Sequence, residues 1–141
     1  SPIEGLKILV GQNEVQNDTA NGDAKEKVKK YSASYNFGQF ALGVERQDIS
    51  DENFSEGDDA KLTQYAATFA ASDKVTIGLT HSVSEDEDTS PSGVDEEITT
   101  LELGYNLGGM TVIASYVKAE GMSHTNNQDA DGLVLRTSMG F

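Results

Sequence analysis

The sequence predicts an all-β fold, an antiparallel sheet of the transmembrane β-barrel class. Three observations carry that expectation. Segments alternate with period two between apolar and small or polar residues, the spacing of a sheet with two unlike faces. Short and long connections alternate strictly between those segments. Acidic charge is nearly absent from the segments and collects in the long connections, as in a wall whose ends project into water.

Eight segments can be marked, at roughly 4–12, 28–37, 40–47, 63–71, 75–84, 98–107, 110–118 and 133–141. In the first, Leu6, Ile8 and Val10 share a face and Lys7 lies on the other. The second sets Tyr31, Ala33, Tyr35 and Phe37 against Lys30, Ser32, Ser34 and Asn36, and stops at Gly38-Gln39. The third sets Phe40, Leu42 and Val44 against Gly43 and Glu45. The fourth sets Tyr65, Ala67, Phe69 and Ala71 against Gln64, Ala66 and Thr68, and stops at Ser72-Asp73-Lys74. The fifth sets Val75, Ile77, Leu79 and Val83 against Thr76, Gly78, Thr80 and Ser82. The sixth sets Leu101, Leu103, Tyr105 and Leu107 against Thr100, Glu102, Gly104 and Asn106, before Gly108-Gly109. The seventh sets Met110, Val112, Ala114 and Tyr116 against Thr111 and Ser115. The last sets Leu133, Leu135, Thr137, Met139 and Phe141 against Arg136, Ser138 and Gly140. Leu9, Ile113, Val117 and Val134 break the pattern on the polar side.

The chain of 141 residues is enough for one domain. No apolar run approaches the ~18 residues of a transmembrane helix. The mean hydropathy of −0.46 suits a barrel, in which only alternate strand residues meet lipid. Without cysteine there are neither disulfides nor thiolate metal sites. A net charge of −14 argues against nucleic acid as a partner. No charged and apolar leader opens the chain at Ser1, so any signal peptide is expected to lie outside this sequence.

The short turns recur at Gly38, Asp73 and Gly108, giving a series of similar hairpins. The long connections, about 13–27, 48–62, 85–97 and 119–132, hold 20 of the 24 acidic residues. Bacterial barrels place tight turns in the periplasm and long loops outside. Nine of the ten aromatics lie on the apolar parity, Phe54 being the exception. Phe37, Phe40, Phe69, Tyr105 and Phe141 fall near the short turns, and Tyr31, Tyr65 and Tyr116 near the long loops. Two such girdles are what the two membrane interfaces select. A soluble sandwich or ligand-binding barrel would put Lys, Glu and Arg on its polar parity; here that parity is mostly Gly, Ser, Thr and Ala.

Small inward residues also bear on width. The narrow interior of a closed eight-stranded barrel must be filled by side chains. Gly43, Gly78, Gly104, Ser32, Ser34, Ala66 and Thr80 fill space poorly and suit the wet lumen of a barrel of about 16 strands. The chain is then expected to be half of such a wall. Lys7, Lys30, Glu45, Glu102 and Arg136 are the charges on that parity. They are read as pore-lining, with pairing between neighbouring strands as the alternative.

Several pieces carry a family resemblance: Gly5-Leu6-Lys7-Ile8, Tyr31-Ser32-Ala33-Ser34-Tyr35, Leu103-Gly104-Tyr105-Asn106-Leu107-Gly108-Gly109, Ala114-Ser115-Tyr116, and Gly132-Leu133 through the terminal Phe141. In their order and spacing they resemble the C-terminal half of general Gram-negative outer-membrane porins, most closely the smaller alphaproteobacterial ones. The resemblance implies passive diffusion of small hydrophilic solutes and ions, and a homotrimer. It also implies contact with outer-membrane lipid and lipopolysaccharide, and an N-terminal half that completes the barrel. Phe141 would then belong to the signal read by the barrel-assembly machinery. The constriction loop of such porins belongs to the N-terminal half and has no counterpart here. A compact eight-stranded barrel for adhesion or anchoring is the principal alternative, and a soluble ligand-binding barrel the next.

Two further patterns bear on metal binding and catalysis. Asn127, Asp129 and Asp131 before Gly132 resemble the first half of a calcium loop, but Ser138 stands where the closing carboxylate belongs. An Asp-Gly turn is the simpler reading, with calcium at the acidic outer loops as the alternative. His81 and His124 are isolated, and Ser123-His124 lacks a nucleophile elbow, so no catalytic residue is assigned and no enzyme is expected.

Overall fold

The computed structural model describes residues 3–19, 22–51, 60–86, 94–124 and 128–139. Eight strands form one antiparallel sheet with each strand paired to the next in sequence. They are β1 (Leu6–Thr19), β2 (Gly22–Phe37), β3 (Phe40–Asp51), β4 (Ala60–Ala70), β5 (Val75–Asp86), β6 (Glu96–Asn106), β7 (Met110–Glu120) and β8 (Ala130–Met139). A short 3-10 turn, Met122–His124, precedes β8. β1 and β8 are the two edges of the sheet and do not pair with each other. Among the described residues the sheet is therefore not closed into the compact eight-stranded barrel of the alternative reading.

Each expected strand is present, and the tight turns fall at Gly38-Gln39 and after Ala70 and Asn106. The correction concerns the long connections. Residues 13–19 and 22–27 continue the first hairpin, pairing Asn13 with Val28, Glu14 with Lys27 and Thr19 with Gly22. β3, β5, β6 and β7 likewise run past the expected boundaries, so most of the acids assigned to loops lie on strand extensions. The reason is physical. Period two marks a strand only where its two faces meet different media. Beyond the bilayer both faces meet water, so the ladder continues without alternation. The 16 residues of β2 exceed the ~9–11 that cross a bilayer.

No apolar side chain is buried among the described residues; the buried positions are Ser115 and Gly121. Along β3, Leu42, Val44 and Arg46 are exposed while Ala41, Gly43, Glu45 and Gln47 are half-buried. This inverts the soluble pattern and is what a sheet curving toward its polar face produces.

Candidate functional site: the polar face of the sheet

Pairing register brings the predicted charges together in two groups. On β2 and β3, Ser32 lies opposite Glu45 and Lys30 opposite Gln47. The diagonal then closes a contact of 2.6 Å between Lys30 Nζ and Glu45 Oε1. Gln47 Nε2 donates to the same oxygen at 2.8 Å. On β6, β7 and β8, Glu102 lies opposite Ser115 and Ser115 opposite Val134. Arg136, two residues on, reaches back across β7 so that its Nη2 pairs with Glu102 Oε1. Ser115 Oγ donates to that oxygen at 2.8 Å and lies 3.4 Å from Arg136 Nη2.

Four of the five predicted charges are thus paired across strands. Such pairs, half-exposed here, are each worth roughly 0.2–1 kcal/mol. Their main effect is to cancel one another's field. Lys7, exposed and opposite Ser34 on edge strand β1, has no partner among the described residues.

Sequence reasoning missed two participants. Ser115, 2% exposed, is the hydroxyl around which Glu102 and Arg136 gather. Its parity was visible but the register that centres it was not. Gln47 was outside the charge pattern altogether.

Between the charges the face is open. A groove of about 320 Å³ is lined by Thr68, Thr76, Gly78, Glu102, Gly104 and Thr111, and ends at Asp73 and Lys74 of the β4–β5 turn. A second, of about 330 Å³, lies on the other side of Glu102 beside Ser115 and Arg136. Both exist because glycine, serine and threonine stop short of filling the face.

The opposite face carries the aromatics. Tyr35, Phe37, Phe40 and Phe69 form one continuous stack, with successive centroids 5.4, 5.4 and 4.7 Å apart. They lie at the tight-turn end with exposed Tyr105. Tyr31, Tyr65 and Tyr116 are exposed on the same face nearer the long connections. Phe141 lies outside the described residues.

The remaining candidates are dispersed. Asp129 Oδ1 accepts the Gly121 N–H at 3.1 Å, and Tyr116 donates its hydroxyl to Asp131 Oδ2 at 3.4 Å. Asn127 lies outside the described residues. No group of three or more potential metal ligands occurs among the described residues. His124 Nδ1 lies 3.1 Å from the Val94 carbonyl oxygen, and Ser123 N–H donates to Glu96 Oε2 at 2.8 Å. These bonds tie the β7–β8 connection to the start of β6 and to the residues just before it. His81 Nδ1 meets Thr99 Oγ1 at 3.0 Å on the aromatic face.

An apolar exterior with aromatics at two levels, and a polar face with paired charges, is the arrangement of a membrane barrel wall. The family model of the Gram-negative porins matches residues 5–129. The chain belongs to the Gram-negative porin family. No curated protein and no solved structure shows significant similarity to it. Membership implies residence in the outer membrane and points to a channel rather than an enzyme.

Proposed function

We propose that the chain is half of the wall of a water-filled porin that passes small hydrophilic solutes and ions by diffusion. The observation that carries this reading is the inversion of hydrophobicity: large apolar residues are exposed on one face while the charges pair on the other. In lipid, the unpaired edge amides of β1 and β8 must find partners. A second segment of similar extent supplies them, closing a barrel of about 16 strands. β1 runs away from the tight-turn end and β8 returns to it, so a segment with an even number of strands joins both edges in antiparallel register.

In this arrangement Lys7, Lys30, Glu45, Glu102 and Arg136 line the lumen. The aromatic stack sits at the periplasmic interface, and Tyr31, Tyr65 and Tyr116 face lipid farther up the wall, on the side toward the lipopolysaccharide. The family reading further supports assembly as a homotrimer. Because the wall charges pair, the acids beyond the bilayer dominate the field at the mouth, and the pore prefers cations. The test is electrical: the intact protein in a planar bilayer should give stepwise, ohmic conductance, and liposomes containing it should swell in isotonic pentose. Liposomes that stay impermeable with the protein correctly inserted would remove the diffusion reading.

A further inference from the structure

The groove around Gly78 and Gly104 lies on the face read as lumenal. Its two ends carry groups of opposite charge. At one end, Glu102 spends Oε1 on Arg136 and Ser115, while Oε2 has no hydrogen-bond partner among the described residues. At the other end, the Lys74 ammonium is exposed and likewise has none. Asp73 stands beside it at the rim. Between the ends the floor is glycine and the sides are Thr68, Thr76, Asn106, Thr111 and Ile113.

We propose that this groove is a binding site in the channel wall for short zwitterionic solutes of amino-acid to dipeptide size. Gly78 lies opposite Glu102 and four residues from Lys74, roughly 13 Å along the strand at ~3.3 Å per residue. An extended dipeptide spans about 7 Å, and the lysine and glutamate side chains lean in to close the rest. The solute ammonium meets Glu102, its carboxylate meets Lys74, and its amide meets the polar side chains of Thr76, Asn106 and Thr111. A simple anion or cation satisfies one end and leaves the other unmet, and a neutral polyol satisfies neither. The glycines matter because any side chain at position 78 would fill the floor. A Cβ built at Gly78 meets Glu102 Cβ at 3.8 Å and Thr68 Cγ2 at 3.9 Å, ordinary contacts for a first carbon, and the branched side chain of Gly78→Val occupies the site.

The site rests on the channel reading, and the experiment separates the two. The intact porin is held in a planar bilayer in dilute KCl, and glycylglycine or xylitol is added in increasing concentration. The expected result is saturable reduction of the current by glycylglycine and none by xylitol beyond the change in bulk conductivity. Glu102→Gln and Lys74→Gln should each raise the half-saturating concentration about tenfold, the loss of one charge-assisted hydrogen bond. Gly78→Val should abolish the effect while keeping stepwise KCl conductance. Equal effects of the two probes, or block unchanged in Gly78→Val and Glu102→Gln, would overturn the site and leave the channel intact. A wild-type protein that inserts but passes no current would overturn both.

Discussion

Leu101 and Thr100 are adjacent in β6 and point to opposite faces, so one substitution made at each reads the two environments directly. Leu101 is 50% exposed and lies between Leu79 and Tyr116 in register. It is five residues from Asn106, the tight-turn end of β6. At ~3.3 Å per residue and a tilt of ~40–45°, that is about 12 Å along the membrane normal, near the middle of a ~25 Å apolar band. Lysine there costs about 2–4 kcal/mol, a factor of roughly 30–1,000 in the folding equilibrium. Lysine at Thr100 enters the lumen beside Glu102 and changes stability by no more than ~0.5 kcal/mol. The assay is urea titration of the intact porin folding into phosphatidylcholine vesicles, followed by heat-modifiable gel mobility. Equal costs at the two positions, or a larger cost at Thr100, would refute the assignment of faces.

Other outcomes follow from the same account. Deleting Phe141 should lower the yield of inserted protein while correctly inserted pores conduct normally, measured by outer-membrane recovery and single-channel recording. Across a KCl gradient the intact pore should show mild cation preference that weakens as salt rises, because exposed acids are screened within ~8 Å at physiological ionic strength; anion preference in dilute salt would show that wall charges, Lys7 among them, prevail. Gly121→Ala should loosen the β7–β8 connection. Its φ of +62° and the clash of an added Cβ with the Asp95 carbonyl oxygen oppose a side chain, with about 1–2 kcal/mol from the left-handed backbone alone. Faster proteolysis of that connection with unchanged conductance is the expected readout.

Strand existence and the sorting of side chains between two faces were legible in the sequence because a sheet with two unlike faces imposes period two. Tyr31, Tyr35 and Phe37 could be assigned to a face before any pairing was known. The tight turns were legible for a related reason, since Gly38 and Gly108 adopt positive φ that other residues resist. What was not legible depends on register or on water-exposed strand. The first hairpin runs to Thr19 and Gly22 through residues polar on both sides, where no periodic signal exists. Ser115 could be placed on the polar face, yet its position between Glu102 and Arg136 follows from how three strands align. Residues alone allowed either pairing or a free field for the wall charges; the diagonal from Lys30 to Glu45 decided for pairing. The bonds of His124 and Ser123 to the β6 side connect residues about 30 apart in sequence, and no local pattern announces them.

In the porin wall proposed here, alternate residues of one strand face lipid and aqueous lumen. Single spin labels at each position from Ile98 to Asn106 in the membrane-inserted porin test it most directly. Accessibility to oxygen and to a water-soluble nickel chelate should each oscillate with period two and in opposite phase. Oxygen should peak at Leu101, Leu103 and Tyr105, and nickel at Thr100, Glu102 and Gly104. Nickel peaking on the leucine parity, or both reagents rising and falling together, would contradict the account.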